Sequence, residues 1–326
     1  MGQWLLYQHG LKERSFFCFA ARKGFFVHKK EVLTSFFAER FRYALVAAQK
    51  TRLNSRMDLN TVTEIATPHA RADLPTYVPG DAFLAGGTWL FSEPQTDLTR
   101  LIDITRLAWP PLIADDNGLH IAATCTIATL AAFEPPPSWT AGPLIVQCCR
   151  ALLGSFKIWN MATVGGNICM ALPAGPMTSL ATALRATCVI WTAAGAERRL
   201  PAEDFVLGPQ QTALAPGELL RAIEIPVQAL LARTAFRQIS LNPVGRSGAL
   251  LIGTLSAEGF ALTVTAATRR PIRMSFPAMP TREHLADRLA ADIPDPLYYD
   301  DVHGTPAWRR HMTARFAEEI RQDLAT

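Results

Sequence analysis

The sequence predicts an α+β protein in which strands and helices are intermixed along one chain, in two regions that meet near Pro226. Three observations predict it. Short apolar runs of strand length are bounded by Gly, Pro, Asn and Asp. A few longer stretches carry apolar residues at helical spacing. Hydrophobic residues make up 49% of the chain and charged residues 18%, which allows a substantial core and is not the composition of a disordered protein. At 326 residues there is room for about two domains of roughly 100–200 residues each.

The elements follow in order. Pro79-Gly80-Asp81 is a turn that feeds the apolar run Ala82-Phe83-Leu84-Ala85, which ends in Gly86-Gly87. A short apolar stretch reaches Ile104, and Asp115-Asp116-Asn117-Gly118 turns the chain into a strand over residues 119–123. Residues 141–153 read as a helix leading to Gly165-Gly166. Residues 181–190 read as a helix feeding a strand, with Gly195 in the turn behind it. Residues 235–239, 249–255 and 261–267 are strands of the second region. Trp308, Met312, Phe316 and Ile320 recur every four residues and place one face of a helix over residues 305–324.

Charge is unevenly distributed. Residues 1–56 contain 11 of the 32 Lys and Arg but 3 of the 28 Asp and Glu, and they hold 8 of the 17 Phe. The expectation is that Met57 is the natural start and this basic leader is upstream sequence; if translated, it would form a short amphipathic helix over residues 31–50. The rest of the chain is mildly acidic, which argues against a nucleic-acid partner. No apolar run approaches the roughly 18–20 residues of a membrane-spanning helix. Cys18, Cys125, Cys148, Cys149, Cys169 and Cys188 make no C-x-x-C pair and suit neither zinc nor iron–sulfur spacing, so they read as reduced, structural thiols of a cytoplasmic protein. No nucleophile–base pair, metal cluster or paired carboxylate stands out, and His120 and His311 read as structural or solvated.

Two segments carry chemistry. In Leu84-Ala85-Gly86-Gly87-Thr88-Trp89-Leu90, an apolar strand runs into paired glycines and a hydroxyl residue. Asn160-Met161-Ala162-Thr163-Val164-Gly165-Gly166-Asn167-Ile168 repeats the combination. Each is expected to form a concave turn of exposed backbone N–H groups that binds an anion without a lysine. Glycine is expected there because a Cβ would block a phosphate and forbid positive φ. Two such turns suit a pyrophosphate held from both sides, and neither matches a Rossmann or P-loop pattern.

The stretch Ser155-Phe156-Lys157-Ile158-Trp159-Asn160 continuing through Asn167, together with residues 84–90, resembles the FAD-binding medium subunit of the xanthine dehydrogenase and CO dehydrogenase family of molybdenum hydroxylases. The resemblance extends through Leu172-Pro173-Ala174-Gly175, Leu214-Ala215-Pro216-Gly217-Glu218-Leu219-Leu220, Asp301-Val302-His303-Gly304-Thr305 and Trp308-Arg309-Arg310-His311. It covers residues 57–326 and implies a flavin domain of the vanillyl-alcohol-oxidase (PCMH) type over residues 57–228, built from two α+β subdomains. A smaller α+β domain would follow over residues 229–326.

By that resemblance Phe83, Leu84, Ala85, Gly86, Gly87, Thr88, Trp89 and Leu90 would wrap one side of the FAD diphosphate, and Thr163, Gly165, Gly166 and Asn167 the other. Thr124 and Thr126 are candidate polar contacts, Leu219 and Leu220 would pack near the flavin end, and Arg237 would place positive charge near the isoalloxazine. Three departures stand out: Trp89 for a small polar or acidic residue, Ile158-Trp159 for an apolar–Arg pair, and Pro176 for an aspartate. The implied role is electron transfer within a hetero-oligomer. A large subunit would carry the molybdenum cofactor and a small subunit the 2Fe–2S clusters, with NAD, oxygen or a quinone or cytochrome as the acceptor. The alternatives are a free-standing flavin reductase or oxidase of the same fold and a cofactor-free interaction module.

Overall fold

The computed structural model describes residues 59–326. The helix expected over residues 31–50, and Cys18, lie outside them.

Three short parallel strands come first: β1 (Glu64–Ala66), β2 (Asp81–Leu84) and β3 (Arg100–Asp103), in the order β1-β3-β2. Gly80, at φ +94°, makes the turn into β2. Asp81 is 3% exposed and sits opposite Arg100 in the register. Its carboxylate accepts from Arg100 Nε at 2.8 Å and from the Val78 N–H at 2.8 Å. The Arg100 guanidinium, with that backbone donor, holds the carboxyl below the usual carboxylate range. The pair fixes the start of β2, and hence where its far end delivers the chain.

The hairpin of β4 (Leu112–Asp115) and β5 (Gly118–Ala122) opens the next layer, and the Asp115 carboxylate accepts from the N–H groups of Asn117 and Gly118 in its turn. Five helices follow: α1 (Ile127–Ala131), α2 (Gly142–Ala151), α3 (Phe156–Met161), α4 (Val164–Cys169) and α5 (Pro176–Ala183). Pro176 is the first residue of α5, where a helix has no use for the missing N–H. Then come β6 (Thr187–Trp191), β7 (Glu197–Pro201), α6 (Ala202–Phe205), the small pair β8 (Val206–Gly208) and β9 (Gln211–Thr212), β10 (Leu219–Pro226) and α7 (Val227–Leu230). The sheet order is β4-β5-β10-β6-β7, antiparallel throughout. The last of these strands to be made therefore occupies the centre. Along it Leu219, Leu220, Ala222, Ile223 and Ile225 are buried, while Arg221 and Glu224 are partly exposed.

The third layer is an antiparallel meander: β11 (Arg233–Ile239), β12 (Ala249–Ser256), β13 (Gly259–Thr265) and β14 (Ile272–Phe276). Helices α8 (Arg282–Asp292) and α9 (Pro306–Ala325) complete it. Met312, Phe316 and Ile320 of the expected stripe are buried on this sheet, with Trp308 partly buried beside them. Alternation along β12 sends Leu250 and Ile252 into the core of the preceding layer and Leu251 into the core under α9. One sheet thus joins two cores, and Ser179 Oγ of α5 meets Thr265 Oγ1 of β13 at 2.6 Å across the joint. Arg309, 1% exposed, fastens α9 by donating from Nε to Gly304 O at 2.9 Å, from Nη1 to Gly248 O at 2.9 Å and to Ala266 O, and from Nη2 to Asp301. Among the described residues no helix is long and apolar enough to cross a membrane.

Candidate cofactor-binding site

The first glycine turn leaves the carboxyl end of β2, the end of a parallel strand at which ligand sites of open α/β sheets form. Gly87 has φ +68°, and a Cβ on it would lie 2.3 Å from the Phe91 ring. Gly86 meets a different constraint: its Cβ would fall 1.8 Å from Met161 O and 3.2 Å from Ala162 Cα. The first turn is therefore seated directly on the backbone that enters the second, residues separated by most of a domain in sequence. Among the described residues, none of the N–H groups of residues 85–90 has an acceptor. Residues 82–90 are all half-buried, so solvent reaches this turn. Such a row of free amides presents fixed partial positive charge to an anion.

The second motif takes a different form from the one its sequence predicts. It opens a helix, α4, with Thr163 as N-cap. Its amides are all engaged: Val164 N–H with Cys125 O at 2.8 Å, Gly165 N–H with Ala123 O at 2.9 Å, Gly166 N–H with Thr163 Oγ1 at 3.0 Å and Asn167 N–H with Thr163 O at 2.9 Å. The expected cluster of exposed N–H groups at residues 163–167 is corrected accordingly. Gly165 is required because its Cβ would lie 2.4 Å from Ala123 Cβ and 2.7 Å from Ala123 O; the α4 N-terminus docks flush on the loop after β5. The glycines at 86 and 165 thus serve backbone-to-backbone contact rather than room for phosphate. Asn167 Oδ1 accepts from the Met177 N–H at 3.1 Å and caps α5, which leaves its amide NH2 free among the described residues.

The other predicted residues separate. Thr126 caps α1, accepting from Thr129 N–H at 3.1 Å, and bridges to Thr163. Thr124 is half-buried beside Ala123, with no hydrogen-bond partner for its hydroxyl among the described residues. Leu219 is buried in the small cluster on which Phe83 and Ala85 pack, and Leu220 faces the main core. Both support the site from beneath. Arg237, on β11, pairs with Glu319 Oε2 at 3.0 Å and with Asp323, both on α9. Two carboxylates neutralise it, so it offers no net positive charge to a flavin. The residue that does approach the first turn is Arg246, in the loop between β11 and β12, with Cζ 5.5 Å from the Trp89 ring centroid. Sequence reading missed it because a lone arginine in Asn242-Pro243-Val244-Gly245-Arg246 matches no motif.

Trp159 explains a second departure. It packs against the main core, and its indole N–H donates to Leu152 O at 3.2 Å, so it is structural. Among the described cysteines, Cys125, Cys148, Cys149 and Cys188 are buried free thiols; burial pushes Cys125, Cys149, Cys169 and Cys188 up to about 12, which makes them inert at neutral pH. No group of three or more His, Cys, Asp or Glu that could hold a metal occurs among the described residues.

A layered α+β fold with a free amide row at the carboxyl end of a parallel strand defines a protein with a candidate anion-binding site. The family model described as the FAD binding domain in molybdopterin dehydrogenase matches residues 60–228, more than half of the chain, and the chain belongs to that family. Curated relatives include the caffeine dehydrogenase subunit beta of a Pseudomonas species, 38% identical over 180 residues that make up 53% of this chain and 59% of that protein. The glyceraldehyde dehydrogenase medium chain of Sulfolobus acidocaldarius is 41% identical over 85 residues, 26% of this chain and 30% of that one. The match to rice xanthine dehydrogenase covers 34% of this chain and 8% of that protein at 32% identity. The chain thus spans less than two thirds of each of these relatives. Among solved structures, a CO dehydrogenase chain from Oligotropha carboxidovorans superposes with a TM-score of 0.67 at 21% identity, covering 79% of this chain and 96% of that one. A chain of quinoline 2-oxidoreductase from Pseudomonas putida gives 0.65 at 19% identity, covering 80% and 95%. These establish a shared fold.

Proposed function

We propose that this chain is the FAD-carrying electron-transfer subunit of a multi-subunit molybdenum hydroxylase, passing electrons from the iron–sulfur clusters of a partner to an external acceptor. The observation that carries the reading is the row of free N–H groups at residues 85–90, seated on Met161-Ala162, in a chain of the FAD-binding family. These amides, with the Thr88 hydroxyl and the Asn167 NH2, would hold the diphosphate. Thr163 and Gly165 would hold the geometry from behind. When bound, the flavin supplies the redox chemistry, and the protein's part is to bind and orient it. NAD, oxygen and a quinone or cytochrome remain the acceptor classes, and a cytoplasmic site of action goes with the reading.

A partner is supported by the surface beside the site. Leu153, Phe156, Ile158 and Met161 lie on or next to α3 with Phe156 73% exposed and Met161 49% exposed. Met161 is the residue that seats Gly86, so an apolar contact patch adjoins the candidate cofactor site. A partner that covers it brings its clusters close to the flavin. Affinity purification from the native host tests the whole reading. The expected result is yellow protein with flavin near one per chain, together with a molybdenum-cofactor subunit and a 2Fe–2S subunit. Colourless protein that stays colourless after incubation with FAD would sink it; yellow protein that runs alone and oxidises a substrate unaided would favour the free-standing flavoenzyme.

A further inference from the structure

Resting on the FAD reading, the geometry points to Arg246 as a phosphate-binding side chain of the same site, delivered by the β11–β12 hairpin and held in place by Trp89. The loop that carries it is well anchored. Gly248 N–H donates to Ile239 O at 2.8 Å and Gln238 Nε2 to Ser247 Oγ at 2.8 Å. The buried Arg309 guanidinium grips Gly248 O at 2.9 Å from the other side. At the tip, Val244 N–H donates to Asn242 Oδ1 at 3.0 Å and Gly245 N–H to Asn242 O at 2.8 Å. Arg246 therefore leaves a defined hairpin and reaches the first glycine turn, its Cζ 5.5 Å from the centroid of Trp89.

Charge makes this position informative. Arg237, on the same hairpin, is neutralised by Glu319 and Asp323, and Arg309 by Asp301. Arg246 has no carboxylate within ion-pair distance among the described residues, although it is exposed and could have taken one at little cost. Its contact is with an aromatic face, which orients a guanidinium while leaving its N–H donors free. Those donors lie beside Trp89, a residue of the turn whose own amides lack acceptors among the described residues. An anion bound at that turn would draw on both the partial charge of its amides and the full positive charge of Arg246. That is the arrangement suited to a diphosphate, whose oxygens accept charge-assisted bonds from a fork of N–H groups. Trp89, which departs from the small or acidic residue expected at its position, then has a role as the platform for that fork. One consequence follows for the fold: the third layer contributes to cofactor binding through Arg246 rather than through Arg237.

The test is equilibrium binding of FAD and of riboflavin to the flavin-free full chain, for the native protein and for Arg246→Gln and Arg246→Lys, with circular dichroism to confirm that the exposed substitutions leave the fold intact. Arg246→Gln is expected to weaken FAD about tenfold or more, to leave riboflavin binding unchanged, and to flatten the salt dependence of FAD binding. Arg246→Lys should recover part of the loss. Native protein that binds FAD, with Arg246→Gln binding it equally well, overturns the role of Arg246 and leaves the FAD reading standing. Equal losses of FAD and riboflavin also overturn it, because a phosphate contact cannot affect a ligand without phosphate. Native protein that binds no FAD overturns the FAD reading, and this inference with it.

Discussion

The two glycine turns share a composition and differ in what becomes of their amides. In both, a hydroxyl residue accompanies a Gly-Gly pair, and both lie at one junction, since Gly86 rests on Met161-Ala162 immediately ahead of Thr163. At residues 85–90 the N–H groups have no acceptor among the described residues. At residues 164–167 every N–H has one: Cys125 O, Ala123 O, Thr163 Oγ1 and Thr163 O. The difference comes from the neighbours. The first turn follows a strand of a small sheet, and no described acceptor reaches its N–H groups. The second caps a helix whose end is pressed onto the loop after β5. A glycine pair therefore encodes close approach, and the surrounding packing decides whether that approach leaves donors for a ligand.

The largest effect is expected at Gly86. A valine there would drive its side chain into the Met161 carbonyl, separating the two turns. Overpacking of this kind costs about 3 kcal/mol, and both the thermal midpoint and the flavin-to-protein ratio should fall sharply. Unchanged flavin content in Gly86→Val would break the seating of one turn on the other. Gly165→Ala meets Ala123 at 2.4 Å and should cost about 2 kcal/mol of stability, measured by urea denaturation. The contrasting site is Gly166, where a Cβ would meet Thr163 Oγ1 alone, at 2.8 Å. Gly166→Ala should lie within about 1 kcal/mol of native, because helix propensity gained offsets the disturbed cap.

Thr163→Val sharpens the comparison from the other side. It removes the N-cap acceptor and releases the Gly166 N–H, at about 1 kcal/mol of stability. If the second turn acts through shape, FAD affinity in the folded variant should change less than about threefold, well short of the loss expected from Arg246→Gln. A large gain in affinity would mean that the freed amide joins the grip.

Asp81→Asn tests the strand that delivers the first turn. The carboxyl is held below its usual range when folded, so its contribution is fully present above the unfolded value of about 3.9. That contribution is lost as pH falls through the folded value. The variant should therefore melt lower than native at pH 7, with the gap narrowing below about pH 4. A gap that stays constant from pH 7 to pH 3 would remove the Asp81–Arg100 pair as its cause.

Much of the fold was legible because local chemistry fixes it. The turns at Gly80 and Asn117-Gly118, the strands that became β11, β12 and β13 and the stripe of Met312, Phe316 and Ile320 follow from residue types and spacing, while β14 and α8 were not anticipated. The helical start at Val164 was read as an open turn, because Thr-x-Gly-Gly serves an N-cap as readily as a nest of amides. The ion pairs of Arg237 were not legible because its partners, Glu319 and Asp323, lie more than 80 residues away in α9. For the same reason Arg246 carried no signal: nothing local to it announces Trp89.

The sequence by itself determined the glycine turns, several strands, the C-terminal helix and the family, since propensity, periodicity and motif order act over a few residues at a time. Tertiary structure alone decided which amides stay free, which arginines are paired with carboxylates, and that Gly86 rests on Met161. Hydrogen-bond acceptors and counter-charges act over a few ångströms in space, and the chain brings them there from distant positions.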